Sequence, residues 1–371
     1  MTDPTIPPRL QLGGQPLTVV GRARIYVCGV TPYDVTHLGH AATFVWVDAA
    51  ERVLRRLGVS VEVCRNVTDV DDVLFDAANR AGAHYDRFAA VQQFHFERDM
   101  DALGVRRPTH EPRAHTHVAQ VISLAAALLD SGAAYASRGS VYFRGAAVPG
   151  AGGLERDEAL RLLESNGGRT DDPAKHDPLD QAVWQVSTSG EPAWPSPWGP
   201  GRPGWHAECT AMALSTYGSS VDLHAGGADL RFPHHAYENA QAEAATGVVP
   251  FARSWLHVGT VQLDGQKMAK STGNLVFVAD LVARTSGPTV RTLLLDRHYA
   301  APWDFHDASL EQAATRLDAL RVAAGRPDTG SSGPRAVLDA LVADLDVPRA
   351  IDVATETGGQ AARDLIAVLG L

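Results

Sequence analysis

Two short segments constrain this chain more than anything else in it: His37-Leu38-Gly39-His40 near the start and Lys267-Met268-Ala269-Lys270-Ser271 far downstream. The first follows a short apolar run, Arg24-Ile25-Tyr26-Val27-Cys28. It opens a stretch with helical spacing through Val47, Ala50, Val53, Leu54 and Leu57, which stops at Gly58. Residues 59–67 read as the next strand. Strand, helix, strand in that order begins a parallel sheet, and such sheets bind ligands beyond the carboxyl ends of their strands. Two imidazoles at a helix N-terminus can hold an α-phosphate, because the helix dipole favours anions there. Two lysines in a loop after a strand can clamp a departing pyrophosphate. Taken together, the segments offer two places to hold the phosphates of a nucleotide. Each alone has a plainer reading, as a helix-capping histidine pair and a solvated basic loop. No G-x-G-x-x-G or G-x-x-x-x-G-K-[ST] stands at the first turn, which weakens dinucleotide and P-loop readings.

The 371 residues, 45% hydrophobic and 20% charged, suffice for a large core and two or three structural units. No apolar run is long enough for a membrane span, and Met1-Thr2-Asp3-Pro4 does not begin a secretory signal. A soluble, cytoplasmic protein with no membrane partner is expected. The net charge of −10 gives no global support for binding nucleic acid. Residues 71–104 and 115–131 read as helical, 141–144 as a short strand and 145–153 as a loop. The Pro, Gly and Trp content of 185–204 excludes a long helix. A helix over about 205–216, a strand at 221–224, a helix from near Pro233 and a strand at 254–263 lead to the lysine loop. Residues 288–324 and 334–371 read as helical.

Only three cysteines occur, Cys28, Cys64 and Cys209, too few and too odd a number for a disulfide framework. Cys28 ends the first strand, and Cys209 lies in Gly204-Trp205-His206-Ala207-Glu208-Cys209. His234 and Glu238, in Phe232-Pro233-His234-His235-Ala236-Tyr237-Glu238, share a face if that stretch is helical. Two thiolates, an imidazole and a carboxylate make a sound zinc site. On spacing alone, two buried cysteines and a surface histidine are the favoured reading.

Four stretches carry a resemblance: residues 26–34, Asn66-Val67-Thr68-Asp69-Val70-Asp71-Asp72, residues 204–209, and Gly226-Gly227-Ala228-Asp229 through His235. With the histidine and lysine segments they resemble the cysteine-activating branch of the class I aminoacyl-tRNA synthetases, in one order across most of residues 22–325. The resemblance implies an α/β fold. In it, a Rossmann-like parallel nucleotide-binding sheet is interrupted by an inserted subdomain and followed by a C-terminal helical bundle. The expected divisions are 1–111 and 196–287 for the halves of the catalytic domain, 112–195 for the insertion and 288–371 for the bundle. It implies ATP, with Mg2+, and a Zn2+ ion bound by Cys28, Cys209 and His234, with Glu238 as fourth ligand. A thiolate ligates zinc and a serine hydroxyl does not, so such a site separates cysteine from serine without editing. By the same resemblance His37, His40, Lys267 and Lys270 are catalytic. Gly29, Thr31, Trp205 and His224 line the amino-acid pocket. Thr43, Asn66, Thr68, Gly227 and Asp229 contact the adenylate, and Val261 lies near the adenine.

Two families share this core, cysteinyl-tRNA synthetases and the cysteine ligases of mycothiol biosynthesis, which pass cysteine to the amine of glucosaminyl-inositol. Gly167-Gly168, Asp177-Pro178-Leu179-Asp180 and Pro192-Ala193-Trp194-Pro195-Ser196-Pro197 resemble the ligases. The hundred residues after Ser271 are tight for an anticodon-reading domain. L-cysteine and glucosaminyl-inositol are therefore the expected partners, with tRNA not favoured. Ala269 replaces the usual serine of the lysine segment, and Asn166-Gly167-Gly168-Arg169-Thr170 departs from the acidic pattern of the ligases. His224 and Glu238 look more like the tRNA synthetases. A short cysteinyl-tRNA synthetase, a paralogue using another amine, and a synthetase-like sensor module remain as alternatives.

Overall fold

The computed structural model describes residues 9–33, 35–188, 190–268, 273–328, 330 and 332–371. Its centre is a parallel sheet built from β1 (Arg22–Val30), β2 (Ser60–Val67), β3 (Leu223–Gly227) and β4 (Trp255–Val258), in the order β4-β3-β1-β2. Helix α1 (Leu38–Arg56) carries the chain from β1 to β2. The chain returns to the other side of β1 only at β3, so the strand order reverses between β1 and β3. A crevice opens at such a switch point, at the carboxyl ends of the strands. Ile25, Val27, Leu223, Ala225, Leu256 and the α1 face of Ala41, Val45, Ala49 and Val53 form the core beneath it. This is an α/β architecture with a Rossmann-like parallel sheet, as expected.

The insertion forms a second, antiparallel sheet, Ala134–Ser137, Ser140–Phe143, Gln181–Val186 and Gly201–Pro203, hydrogen-bonded in chain order. That sheet extends past residue 195, since Gly201–Pro203 pairs with Gln181–Val186. The strand ends two residues before Trp205, where α2 (Trp205–Tyr217) begins. Helix Val118–Asp130 packs Val121, Leu124 and Leu128 on this sheet, with Ala207 and Ala211 of α2 and Tyr237 of α3 (Ala236–Thr246) in the same cluster.

Several expected elements are broken by local chemistry. The stretch 71–104 is two helices, Asp72–Arg80 and Tyr85–Ala102, parted at Ala81-Gly82-Ala83, where Gly82 has φ +62°. The strand expected at 254–263 is interrupted after Val258, and Val261–Leu263 turns to pair with Trp303–Asp304. That pairing also splits 288–324 into Gly287–Leu295 and Asp307–Ala324. The loop expected at 145–153 holds one short helical turn, Val148–Ala151.

Helices Gly287–Leu295, Asp307–Ala324, Ser332–Val342, Val347–Thr357 and Gly359–Leu369 form the C-terminal bundle, which packs on α1. The fully buried Arg291 joins the parts. It donates to the Asp48 carboxylate of α1, to the Leu369 carbonyl at 2.5 Å and to the Leu103 carbonyl at 3.1 Å. Among the described residues no helix is long and apolar enough to cross a membrane.

Candidate active site and metal centre

Strand register assembles one side of the site. Successive side chains of a strand point to opposite faces, so Cys28 shares a face with Tyr26. Tyr26 stands opposite His224 of β3, and His224 opposite Trp255 of β4. The three rings pack in a row, with centroids 5.3 Å apart for Tyr26–His224 and 4.7 Å for His224–Trp255. α2 supplies the other side, where the Tyr26 hydroxyl donates to the Cys209 carbonyl at 2.8 Å. His234 lies in a wide helical turn, Arg231–His235, and the regular helix starts only at Ala236. His234 and Glu238 nonetheless meet, Nε2 to Oε1 at 2.5 Å.

The donor atoms of Cys28, Cys209, His234 and Glu238 all lie within 4.8 Å of one another, and all four residues are buried. His234 is thus no surface histidine. The Cys28 thiol reaches Glu238 Oε1 at 3.1 Å, and the Asn66 amide donates to Cys209 Sγ at 2.8 Å. Glu238 Oε2 lies 3.1 Å from His224 Nε2, so the two oxygens of this carboxylate face two different imidazoles. His206 Nδ1 lies 2.8 Å from His234 Nδ1, an outer partner that orients the ring. The donor types and their supports fit zinc.

A second set shares Cys28 and Glu238 and adds His224 and His235, again within 4.8 Å. Among the described residues His224 Nδ1 and His235 Nε2 have no hydrogen-bond partner, while His235 Nδ1 faces His257 Nε2 at 2.9 Å. His235, His206 and His257 were not assigned roles from the sequence. The signal available was the density of histidines beside the cysteines, which does not say which rings turn inward.

Charge is tightly balanced here. Burial opposes ionisation of Glu238, but His234 and then His224 outweigh it and hold the carboxyl well below its usual range. Burial likewise opposes the His234 imidazolium, and Glu238 with Cys209 hold it up at about 10. Burial, then a hydrogen bond with Cys209 and the charge of Glu238, push the Cys28 thiol up. Burial keeps His206 and His235 neutral, and His257 is lowered to about 4 by burial and the nearby Arg231.

The residues expected to handle the nucleotide, Lys270 apart, lie near the same end of the sheet. His37 is the N-cap of α1, where its Nδ1 accepts from Gly39 N–H at 3.2 Å, and its ring lies 4.0 Å from that of His40. The histidine segment pairs through its backbone with residues 276–278, a few positions beyond the lysine segment. Leu38 N–H donates to Val276 O at 2.8 Å and Val278 N–H to Thr36 O at 3.2 Å, with His37 bridging Phe277. Lys267 is exposed and pairs with Asp229 at 2.6 Å. Lys270 lies outside the described residues. Gly29 N–H donates to Asn66 Oδ1 at 2.6 Å, and a Cβ on Gly29 would lie 1.7 Å from Asn66 O, so only glycine fits. At Gly227 a Cβ would lie 2.4 Å from Asp229 Oδ1. The hydroxyls of Thr31 and Thr68 meet at 2.8 Å, linking the ends of β1 and β2. Thr43 on α1 faces Gly227, Val261 is buried beside Gly39, and Trp205 packs on His234 with ring centroids 4.0 Å apart and planes tilted by 32°.

A reversed strand order, paired histidine and lysine segments, and a buried thiol–imidazole–carboxylate cluster define a class I synthetase-type catalytic unit. Comparison with known proteins agrees. The family model described as tRNA synthetases class I (C) catalytic domain matches residues 16–315, and the chain belongs to that family, as an ATP-dependent ligase. Its curated relatives include proteins named L-cysteine:1D-myo-inositol 2-amino-2-deoxy-alpha-D-glucopyranoside ligase. The one from Parafrankia sp. is 43% identical over 338 residues, 88% of this chain and 75% of the relative. That from Mycobacterium ulcerans is 45% identical over 350 residues, 91% and 84%. Among solved structures, Mycobacterium tuberculosis methionyl-tRNA synthetase in complex with methionyl-adenylate aligns with TM-score 0.62 at 18% identity, covering 95% of this chain and 82% of that one. At that identity the likeness is one of fold.

Proposed function

We propose that the protein activates L-cysteine with ATP as cysteinyl-adenylate and passes the cysteinyl group to an amine, that of glucosaminyl-inositol. The observation that carries this reading is the buried Cys28–Cys209–His234–Glu238 cluster at the carboxyl ends of β1 and β3. A zinc ion held by these four residues would supply a thiolate-selective Lewis acid at the base of the amino-acid pocket. Asn66 holds Cys209, and His206 holds His234, so the donors are oriented before any ligand arrives. Gly29, Thr31, Trp205 and His224 enclose the amino acid.

The cysteine carboxylate then attacks the α-phosphorus of ATP, which is delivered with Mg2+. His37 and His40 hold the α-phosphate at the α1 N-terminus, and Lys267 and Lys270 take the charge of the departing pyrophosphate. Thr43, Asn66, Thr68, Gly227 and Asp229 contact the nucleotide, with Asp229 placed for the ribose hydroxyls and Val261 for the adenine. The acceptor amine attacks the adenylate carbonyl and AMP leaves. The names of the curated relatives support the acceptor. His224 and Glu238 favour a second reading, a short cysteinyl-tRNA synthetase.

The test is one mixture of full-length protein with ATP, cysteine, zinc, glucosaminyl-inositol and tRNA for cysteine, read by mass spectrometry. A cysteinyl amide of the amino sugar is expected. Charged tRNA without the amide would establish the second reading. AMP release with neither product would mean another amine.

A further inference from the structure

A cavity of about 800 Å3 lies between helix Asp72–Arg80 and the 190–194 segment of the insertion. The ATP and metal residues described above do not line it. Its floor and walls are Phe75, Tyr85 and Trp194, with Asp72, Asp76 and Glu191 on the rim. The aromatic side packs on Met212, three residues beyond Cys209 on α2. The helix bearing Asp72 and Asp76 follows directly from the end of β2, through Thr68 and the N-cap Asp71. The cavity therefore lies beside the helix that carries Cys209 and just beyond the segment that carries Thr68.

Its chemistry is specific. Arg202 has 5% exposure and answers two of the three rim carboxylates, Asp72 at 2.9 Å and Glu191 at 2.6 Å. Asp76 has no ion pair among the described residues. An aromatic floor takes the C–H face of a sugar ring or a cation, because the ring faces are negative. A free carboxylate above it takes an ammonium. Phosphate finds no unpaired cation on this rim. The volume lies within the range of small-molecule pockets.

We infer that this cavity is the acceptor subsite, binding an amine-bearing sugar or cyclitol with its ring on the Phe75–Tyr85–Trp194 floor and its ammonium on Asp76. The inference rests on the proposed cysteine-transfer reading. It adds the place where the second substrate waits and a reason why a small cationic polyol is preferred to a tRNA terminus.

The test uses the full-length, zinc-loaded enzyme and the variants Asp76→Lys and Trp194→Ala. Cysteine-dependent ATP–pyrophosphate exchange reports the first half-reaction, and amide formation with glucosaminyl-inositol the second. Loss of one charge-assisted contact in Asp76→Lys should raise the KM for glucosaminyl-inositol by about tenfold or more. Trp194→Ala should raise it too, and exchange should persist in both, which also shows that the variants fold. An unchanged acceptor KM in both variants would overturn the inference, as would faster charging of tRNA by Asp76→Lys. Should wild-type enzyme exchange pyrophosphate yet form no amide, the acceptor reading fails separately. Saturation-transfer NMR with glucosamine then tests the cavity: a signal lost in Asp76→Lys supports it, and one that survives overturns it.

Discussion

The two ends of the active crevice are built in opposite ways. At the amino-acid end, Cys28, Cys209, His224, His234, His235 and Glu238 are buried, and outer partners such as Asn66, His206 and His257 orient several of them. At the nucleotide end, Lys267 and Asp229 are exposed and meet in a surface ion pair. The difference matches what the proposed reaction asks of each end. Separating a thiol from a hydroxyl needs donors fixed before binding, since reorganisation would blur a distinction made by ligation alone. Neutralising a triphosphate needs long, hydrated cations that can follow charge as it moves to the leaving group. One end is set by folding, and the other is completed by its ligand.

Removing a donor from the fixed end should have the largest effect. In Cys209→Ala, zinc content by atomic emission should fall to background and cysteine-dependent pyrophosphate exchange by about a thousandfold, the scale of a strong electrostatic contact. If zinc stays bound, the ion sits in the alternative set of Cys28, His224, His235 and Glu238, and the assignment of Cys209 is wrong. At the open end, Lys270→Ala should slow adenylation by about a hundredfold while zinc content stays at the wild-type level. Unchanged adenylation would remove Lys270 from the mechanism. Zinc loss would show that the two ends are not separate.

The fixed end should also be the more sensitive to acid. His257 falls from 6.5 to about 4 on folding, and burial lowers His206 and His235 as well. A histidine lowered by folding stabilises the native state above the pKa of the unfolded chain. That contribution fades as pH drops through the folded value, because the unfolded state takes up the proton first. Denaturant midpoints should therefore decline between about pH 6.5 and pH 4, and less steeply in His257→Gln. A flat profile in wild-type protein would mean that these rings are hydrated.

How much of this could be read from the sequence follows the same division. The β1–α1–β2 unit was legible because its apolar spacing changes period at His37 and again at Gly58. The sites of Cys28, Cys209, His234 and Glu238 were legible as a resemblance, but their spacing could not bring them together. Their meeting depends on the β1–β3 register and on a wide turn at Arg231–His235, neither of which local periodicity reports. The supporting rings of His206, His235 and His257 were invisible for that reason. Two long-range pairings were hidden as well: Gly201–Pro203 joining the insertion sheet, and Trp303–Asp304 splitting the helical stretch that precedes the bundle.

The smallest expected effect is at the Lys267–Asp229 pair. Both side chains are well exposed, so water screens their attraction and ordering two side chains offsets much of it. Asp229→Asn should change the free energy of unfolding by less than about 1 kcal/mol, yet raise the KM for ATP if Asp229 makes the proposed ribose contact. Raising the salt concentration should leave wild-type stability nearly unchanged while weakening ATP binding, because exposed charges handle the phosphates at this end. If Asp229→Asn instead unfolds several degrees lower, the pair is a structural strut. The nucleotide end would then be as fixed by folding as the metal end, and the contrast between them would fail at the residue where it is easiest to measure.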